Sequence, residues 1–241
     1  MATARSYHRW SSPSLQREME LLVFGHAGAR VVAFPTSAGR FFDWEDRGLI
    51  GALSDHLENG WIQIFCVDSV DGESWYAKDR LPAERAKRHA QYDHYILTEV
   101  LPFTAERNPN PFLIVTGASF GAYHATNFAF RYPHLVSRII GMSGYYDIKR
   151  WTGDYSDDNV YFNNPCDFLA QEHDPERLDA LRNIDIILTI GRTDSALANN
   201  EYLSGVLWSK KIGHAFRIWD GQAHDWPVWQ EMLRLYIGGH D

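Results

Sequence analysis

The amino-acid sequence predicts an α/β fold with a mixed, mostly parallel sheet, an antiparallel N-terminal hairpin and helices on both faces. Two observations carry this prediction. Over the C-terminal three quarters of the chain, short continuous apolar runs alternate with helix-length segments, an alternation typical of parallel strands covered on both faces. Ahead of them, strand-like segments follow one another with only short turns between, and such strands pair antiparallel.

The N-terminal elements are predicted to be strands. Segments 5–12 and 17–24 are the two strands of the hairpin. The run Gly-His-Ala-Gly at 25–28 is a turn signal, and 31–34 follows as a short buried strand. Because the spacing is again strand, turn, strand, we expect this third strand to pair antiparallel with the second.

In the rest of the chain, predicted strands alternate with predicted helices. Apolar runs predict further strands at 61–67, 112–116, 138–142, 184–190 and 215–219. Segments of helical length lie at 47–58, 82–100, 120–132, 197–210 and 226–237. The second of these begins with Pro82, a residue suited to the first turn of a helix.

Length and composition predict one domain. The chain has 241 residues, of which 45% are hydrophobic and 22% are charged. These values are close to the average of globular proteins, and the length suits a single large α/β domain. Since no linker rich in proline, glycine or serine divides the sequence, we expect one domain over residues 1–241.

Charge and cysteine content exclude several classes of protein. The formal net charge of −8 argues against a nucleic-acid partner, which needs a basic patch. No apolar run approaches the ~18 residues of a membrane span, and residues 1–8 lack the apolar stretch of a secretory signal. Cys66 and Cys166 are too few for a disulfide framework or a four-cysteine zinc site. We expect a cytoplasmic enzyme that binds neither membranes nor metal; the sequence does not indicate an oligomeric state.

Residues 145–175 interrupt the alternation of strands and helices. The segment is rich in aspartate, asparagine and large aromatic residues, and it shows no clear period. Long stretches of this kind in compact domains are often lids or binding loops. Two interpretations stay open: an ordinary surface loop, or a cap-like insertion over the active site. Both treat the segment as too polar to be buried.

A serine lies on the turn between a buried strand and a helix. The run Gly-Ala-Ser-Phe-Gly at 117–121 follows an apolar segment and precedes a helix with alanines at 122, 125 and 129. This is the Gly-x-Ser-x-Gly pattern of a nucleophile elbow, where strand and helix pass so closely that the serine needs glycine neighbours. The helix N-terminus and the amide of Phe120 would face a developing oxyanion. Ser119 is therefore the predicted nucleophile.

The simpler interpretation of 117–121 is a turn that only joins strand and helix. A second run, Gly-Met-Ser-Gly at 141–144, provides an internal comparison. Ser143 also follows a strand, yet it lacks the elbow spacing and the helix after it, so we interpret it as a turn residue. At Ser119 the preceding strand and the following small-residue helix favour the elbow.

The same pattern predicts the base and the acid. A serine hydroxyl is a weak nucleophile and needs a base that a carboxylate orients. After an elbow the chain order is serine, acid, histidine, with the last two at the carboxyl ends of later strands. Of the 11 histidines, His224 alone meets this requirement, and Asp194 is the predicted acid. Asp147 follows the preceding strand and remains the alternative acid.

Together these residues resemble the α/β-hydrolase fold and, within it, the esterase D-like "putative esterase" family. That family includes feruloyl and acetyl esterases, formylglutathione hydrolases and mycolyltransferases. The resemblance covers nearly the whole chain, and its most specific parts are 117–123, 191–194 and 221–226. It implies the roles of nucleophile, acid and base for Ser119, Asp194 and His224, and it requires no metal or organic cofactor.

One loop departs from the family pattern. Members usually carry His-Gly after the third strand, where a backbone amide completes the oxyanion hole. This chain has Phe-Pro-Thr-Ser-Ala-Gly-Arg at 34–40. The loop can still offer the amide of Ser37 or of Ala38 to act with the amide of Phe120, and which of the two does so stays open.

These features predict a serine carboxylic-ester hydrolase that forms an acyl-enzyme with a small acyl or aryl ester. Acyl transfer to an acceptor other than water is the first alternative, because both reactions share the acyl-enzyme. A non-catalytic binding protein on a hydrolase scaffold is the second. It is disfavoured because all three triad positions hold competent residues.

Aromatic residues near strand ends are candidates for substrate binding. Trp44, Trp75 and Tyr123 follow or flank predicted strand ends, and Trp151 lies within 145–175. For each residue alone, core or rim packing is the simpler interpretation. With 9 tryptophans and 12 tyrosines in the chain, we expect an aromatic-lined acyl or aryl pocket.

Overall fold

The computed structural model describes residues 3–239. Residues 1–2 and 240–241, the two ends of the expected domain, lie outside the described residues. Within that range one sheet contains the strands β1 (Arg5–Ser12), β2 (Arg17–Phe24), β3 (Ala29–Phe34), β4 (Ile62–Val67), β5 (Leu113–Ala118), β6 (Arg138–Met142), β7 (Asp185–Gly191) and β8 (Ala215–Trp219).

The strand order across the sheet is β1-β2-β4-β3-β5-β6-β7-β8. β1 pairs antiparallel with β2, and β2 pairs antiparallel with β4. Every other neighbouring pair is parallel. The predicted mixed, mostly parallel sheet with an antiparallel N-terminal hairpin is confirmed.

One predicted pairing is wrong. The turn at 25–28 joins β2 to β3, but these two strands are not neighbours, because β4 lies between them. β3 instead pairs parallel with β4 and β5. All six residues of β4 are buried, so this strand needs partners on both edges, and a central place satisfies more of its backbone groups than an edge would.

The helical segments follow the predicted alternation. They are α1 (Asp43–Asp46), α2 (Leu49–Ala52), α3 (Ser54–Glu58), α4 (Pro82–Tyr95), α5 (Leu101–Arg107), α6 (Phe120–Arg131), α7 (Lys149–Thr152), α8 (Asp158–Tyr161), α9 (Pro165–Phe168), α10 (Pro175–Arg182), α11 (Leu197–Ser209) and α12 (Trp226–Tyr236). A π-helical turn, Ile96–Val100, joins α4 to α5. Among the described residues, no helix combines the length and the apolar character that a membrane crossing requires.

The helices cover both faces of the sheet. In β3, Val32 and Phe34 pack in the core formed with α4, α6 and α11, while Val31 and Ala33 pack in the core formed with α2, α3 and α12. Successive side chains of a strand point to opposite faces, so the two cores lie on opposite sides of the sheet. With both faces covered, the carboxyl edge of the parallel strands is where a ligand can reach them.

Segment 145–175 is neither structureless nor wholly exposed. It contains the one-turn helices α7, α8 and α9, and Tyr146 and Ile148 are completely buried. Some of its polar side chains find partners in the rest of the fold: buried Asn163 accepts hydrogen bonds from Asn127 (3.0 Å) and Arg131 (2.7 Å). Because buried polar groups that find partners are tolerated, the polar composition was a poor guide to exposure.

Candidate active site

Four consecutive parallel strands end beside one another, and each is followed by a residue of the site. Ser119 follows β5, Ser143 follows β6, Asp194 follows β7, and His224 follows β8. The sheet therefore brings the three predicted triad residues to the same edge, although they are far apart in the sequence.

Ser119 occupies a strained turn. Its backbone has φ 55° and ψ −120°, a conformation that side-chain-bearing residues rarely adopt. Its amide donates to the carbonyl of Met142 at 2.8 Å, which ties the turn to β6. Such strain costs on the order of 1–3 kcal/mol and persists where the surrounding structure enforces it. Here it lifts the hydroxyl clear of both the strand and the helix.

The two glycines of the 117–121 run allow this close passage. A Cβ on Gly117 would lie 2.3 Å from the carbonyl carbon of Gly121. A Cβ on Gly121 would lie 2.5 Å from the carbonyl oxygen of Pro35. Both contacts are with backbone atoms that cannot move aside, so the strand, the helix and the loop after β3 approach this closely only because these residues lack side chains.

His224 links Ser119 to Asp194. Its Nε2 lies 3.1 Å from the hydroxyl oxygen of Ser119, and its Nδ1 lies 2.7 Å from Oδ2 of Asp194. The side chain of Asp194 is 2% exposed and that of His224 is 29% exposed. The other oxygen of Asp194 accepts the amide of Ala196 at 2.9 Å. The acid is thus held from two sides, while the imidazole edge toward Ser119 remains open to the cleft.

The loop that carries His224 is anchored by Ser143. The hydroxyl of Ser143 donates to the carbonyl of Ala223 at 2.8 Å and accepts from the indole Nε1 of Trp229 at 3.0 Å. The Trp229 ring also contacts the imidazole of His224 edge to face, with centroids 5.2 Å apart. Ser143 is therefore a turn residue, as the sequence indicated, and it also holds the backbone beside His224 in place.

Asp147, the alternative acid, points elsewhere. Its Oδ1 accepts the amide of Lys149 at 3.0 Å and the side-chain amide of Asn164 at 2.9 Å. These bonds organise the beginning of segment 145–175. The imidazole of His224 is bonded to Asp194 instead.

In the loop after β3, the backbone amides of Ser37 and Ala38 differ in whether a hydrogen-bond acceptor already engages them. The amide of Ala38 donates to Oδ2 of Asp71 at 3.0 Å, so it is already engaged. The hydroxyl of Ser37 accepts from Tyr76 at 2.8 Å and lines the cleft. Phe120 is the first residue of α6, where the amides have no acceptor within the helix. Of the two loop amides left open by the sequence, this arrangement favours that of Ser37.

The cleft around Ser119 has a volume of about 290 Å³. Beyond Ser119 and His224, its walls include the aromatic side chains of Tyr76, Tyr145 and Trp151. Tyr76 and Trp151 both contact the ring of Phe120, with centroids 5.2 Å and 5.0 Å away. Burial raises the pKa of Tyr76 above its ordinary value, so its hydroxyl stays protonated and donates to Ser37.

Three of the four aromatic residues proposed from the sequence do not reach the cleft. Trp44, Trp75 and Tyr123 are each at most 1% exposed. The indole of Trp44 donates to the carbonyl of Phe34, and Tyr123 donates to the carbonyl of Asn163, so both bury their polar atoms in hydrogen bonds. Trp75 packs with Tyr123 and Phe120 behind the elbow. Trp151 alone of the four lines the cleft.

Two cations at the cleft were not singled out from the sequence. Lys78 and Arg150 both line it. They lie in a turn and in a one-turn helix far apart in the sequence, and no motif marks either of them. Only the folded chain places them beside Ser119.

A second serine–histidine contact lies at the opposite edge of the sheet. The hydroxyl of Ser204 is 2.7 Å from Nε2 of His214, which lines a groove of about 620 Å³ at the amino ends of β7 and β8. The other ring nitrogen of His214 faces the carbonyl of Ile212, at 3.1 Å, rather than a carboxylate. Ser204 lies inside helix α11, so this contact has neither the elbow nor the orienting acid of a triad.

The described part of the chain contains neither a reactive cysteine nor a cluster of metal ligands. Burial raises the thiol pKa of Cys66 and of Cys166, so neither supplies a thiolate at neutral pH. Within residues 3–239, no group of three or more histidine, cysteine or acidic side chains could hold a metal ion.

Residues 62–235 match the family model described as "Putative esterase". No curated protein sequence matches the chain significantly. Among solved structures, a ferulic acid esterase is 18% identical with a TM-score of 0.78, and the match covers 97% of this chain and 96% of that one.

Two further structures extend the likeness. The fluorophosphonate-binding serine hydrolase FphF of Staphylococcus aureus is 14% identical with a TM-score of 0.73, over 97% of this chain and 96% of that one. An S-formylglutathione hydrolase from Agrobacterium tumefaciens is 14% identical with a TM-score of 0.74, over 98% of this chain and 94% of that one. At such low identity the likeness concerns the fold, which is that of the α/β-hydrolases.

Proposed function

This chain belongs to the putative esterase family and is a carboxylic ester hydrolase, and we propose that it acts through a triad of Ser119, His224 and Asp194. The observation that carries the proposal is the continuous hydrogen-bond chain from the carboxylate through the imidazole to the strained serine. Its substrates are small-molecule esters, and the reaction passes through an acyl-enzyme.

In the first half of the reaction, the hydroxyl oxygen of Ser119 attacks the ester carbonyl carbon. Nε2 of His224 takes the serine proton, while Asp194 holds the Nδ1–H tautomer and stabilises the imidazolium. The tetrahedral intermediate then collapses as the bond to the alcohol oxygen breaks. His224 returns the proton to that departing oxygen, which leaves the acyl group on Ser119.

In the second half, water takes the place of the alcohol. His224 removes a proton from the attacking water, and the acyl–serine bond breaks to release the carboxylic acid. The proton returns to the hydroxyl oxygen of Ser119. The amides of Phe120 and Ser37 would bind the oxyanion of both tetrahedral intermediates, and one such donor contributes about 2.7–4 kcal/mol to the barrier reduction.

The direct test of the proposed activity is a panel of acyl esters varied in chain length and alcohol. We expect release of free carboxylic acid with water as the only acceptor, and no dependence of the product yield on added alcohols or thiols. Turnover that requires an added acceptor would favour acyl transfer. Binding of esters without turnover would favour a non-catalytic scaffold.

Activity should fall at acid pH. A protonated imidazole cannot accept the serine proton, so kcat/KM is expected to decline as the pH is lowered from about 8 to about 5. The measurement is a pH profile of ester hydrolysis with the non-enzymatic rate subtracted. A profile that stays flat through this interval would argue against a histidine base.

We further propose one domain over residues 1–241, in which segment 145–175 is an insertion that shapes substrate binding. Tyr145, Arg150 and Trp151 of this segment line the cleft, while Tyr146 and Ile148 anchor it in the core. The aromatic wall and the buried anchor together support a fixed, substrate-facing role for the insertion.

Replacing Trp151 with alanine should change the ranking of ester substrates without preventing modification of Ser119. The loss of an aromatic wall alters kcat/KM unequally among substrates, because differential contacts set specificity. Tyr155→Ala is the matched control, since Tyr155 is exposed on the same segment and does not line the cleft. An unchanged ranking in Trp151→Ala would remove the insertion from substrate recognition.

A further inference from the structure

The cleft is lined by two cationic side chains, and no carboxylate that lines it is free to pair with them. Lys78 and Arg150 line the cleft, and neither forms an ion pair among residues 3–239. Asp194 is the acidic residue that lines it, and both of its oxygens are already engaged, by His224 and by the amide of Ala196. The accessible walls beside Ser119 therefore carry a net positive charge.

This local excess contrasts with the rest of the molecule. The chain has a formal net charge of −8, with 31 acidic residues against 23 lysines and arginines. Several cations elsewhere are paired: Arg40 contacts Asp68 at 2.7 Å, Arg138 contacts Asp185 at 2.7 Å, and Lys149, next to Arg150, contacts Asp167 at 2.5 Å. Lys78 and Arg150 have no ion-pair partner within residues 3–239, and they line the cleft of an acidic protein. This arrangement favours binding of a negatively charged ligand.

Arg150 is held in an orientation suited to binding an anion. Its guanidinium lies 4.9 Å from the ring centroid of Tyr145 and 4.9 Å from that of Trp151. Stacking on aromatic rings orients the planar guanidinium while leaving its N–H groups available. A fixed guanidinium can bind the two oxygens of a carboxylate or phosphate with parallel hydrogen bonds.

Resting on the proposed function, we propose that the substrate is an ester bearing an anionic group, which Arg150 binds with support from Lys78. The group carries at least two oxygens, as a carboxylate or a phosphate does. The aromatic wall of Tyr76 and Trp151 contacts the part of the substrate that joins this group to the ester carbonyl. The formal net charge of −8 disfavours nonspecific binding of such substrates, so the two cations at the cleft carry their recognition.

Esters of similar framework that carry either an anionic or a neutral group test the proposal. On the alcohol side, 4-acetoxybenzoate is compared with 4-acetoxybenzamide and with 4-acetoxyphenyl phosphate. On the acyl side, phenyl 4-carboxybenzoate is compared with phenyl 4-carbamoylbenzoate. We expect at least one anionic ester to exceed its neutral partner in kcat/KM by about 10- to 100-fold, the range of a charge-assisted hydrogen bond. The two sides identify where the anion sits, and the phosphate distinguishes it from a carboxylate.

Variants assign the preference to named side chains. Arg150→Gln should reduce the ratio of anionic to neutral kcat/KM toward one, and Lys78→Gln should reduce it less. Arg234→Gln is the control, because Arg234 is exposed on α12 and lines no part of the cleft. Neutral esters that match or exceed the anionic ones on both sides would overturn the inference. A preference for anionic esters that survived both Arg150→Gln and Lys78→Gln would also overturn the inference. If no ester were hydrolysed at all, the proposed function itself would fail.

A second, independent observation concerns the buried side chain of Asp71, which links the loop after β3 to helix α6; we call this link the Asp71 bridge. Asp71 is 1% exposed, and both of its carboxylate oxygens are used. Oδ2 accepts the amide of Ala38 at 3.0 Å, and Oδ1 lies 2.8 Å from Nε2 of His124. Ala38 has φ 52°, a strained value for an alanine, so its position needs an external hold.

The Asp71 bridge connects the two segments that carry the proposed oxyanion donors, Phe120 and Ser37. His124 lies on α6, the helix that begins with Phe120, and Ala38 adjoins Ser37 on the facing loop. The ring of His124 is fixed by stacking against Phe34, with centroids 5.9 Å apart. The carbonyl of Asp71 also accepts the amide of Tyr76, whose hydroxyl holds the side chain of Ser37.

We infer that Asp71 is a positioning residue, which sets the spacing between the amides of Phe120 and Ser37. The inference rests on the proposed function, and it goes beyond the triad. Asp71→Asn keeps the size of the side chain, but its amide nitrogen donates where a carboxylate oxygen accepted, so either the bond from Ala38 or the bond from His124 cannot keep its present direction. We expect kcat to fall by about 10- to 100-fold, part of the 10²–10³ assigned to a whole oxyanion donor. KM should change less than about twofold, because the loss concerns the transition state.

Binding of a trifluoromethyl ketone separates positioning from simple destabilisation. This inhibitor adds to Ser119 and places an oxyanion in the hole, so its affinity should weaken in Asp71→Asn by the same factor as kcat. His124→Gln, which keeps a donor toward Asp71, should retain more activity than His124→Leu, and this pair serves if Asp71→Asn does not fold. Unchanged kcat and ketone affinity in the folded variants would overturn the role, as would a loss confined to KM. A wild-type protein that neither hydrolyses esters nor binds the ketone would instead refute the proposed function.

Discussion

Replacing Ser119 with alanine is expected to lower kcat for ester hydrolysis by about 10⁶-fold, the loss measured when the nucleophile of a serine triad is removed. The variant keeps the oxyanion amides and the cleft, so substrate binding should persist with little change in affinity. Because the triad acts as a unit, the double variant Ser119→Ala/His224→Ala should be no worse than the single one. Additive losses would show that the two residues do not work together.

Ser204→Ala is the matched control for this loss. It also removes a serine hydroxyl that contacts a histidine, at 2.7 Å, but at the amino edge of the sheet. Activity should stay within about twofold of the wild type, because Ser204 contacts His214 and does not line the cleft, and substitutions remote from a site act independently of it. A loss in Ser204→Ala comparable to that in Ser119→Ala would mean that folding, and not chemistry, had been damaged.

Replacing Asp194 with asparagine is expected to lower kcat by about 10⁴-fold, the precedent for a triad aspartate whose loss leaves the histidine in the wrong tautomer. The geometry should survive, since asparagine can still contact Nδ1 of His224. The measurement is kcat at a pH where the wild type is fully active. Fluorophosphonate labelling of the variant should slow in parallel, because the serine is no longer activated.

Asp147→Asn is the companion variant, because Asp147 was the alternative acid in the sequence. Its carboxylate is engaged by the amide of Lys149 and by Asn164, so the substitution should cost far less than a factor of 10⁴ in kcat. The reverse ranking of the two variants would assign the acid to the earlier strand. It would also require His224 to leave the position in which it contacts Asp194.

The sequence predicted the elements, and it also indicated the residues of the proposed triad, because both leave local signals. Strands and helices were visible as apolar periods, and Ser119, Asp194 and His224 were visible as residues in the turns and loops that follow predicted strands. The carboxyl ends of parallel strands meet at one edge, so no tertiary contact had to be guessed to expect these side chains together. The geometry that joins them is consistent with that expectation.

The remaining features depend on contacts between distant segments, and the sequence could not show them. The position of β4 between β2 and β3 is a choice of partners, which apolar periodicity does not encode. Trp44 and Trp75 pack in the core although strand-end aromatics elsewhere line the cleft. Asp71, Lys78 and Arg150 belong to no motif, and their neighbours are defined only by the folded chain.

Fluorophosphonate labelling of the wild-type protein, followed by intact-mass analysis and peptide mapping, tests directly whether Ser119 is the nucleophile. We expect one adduct per chain, on Ser119 in the tryptic peptide 108–131, and none in Ser119→Ala. An unlabelled wild-type protein, or an adduct on Ser143 or Ser204 in place of Ser119, would contradict this assignment.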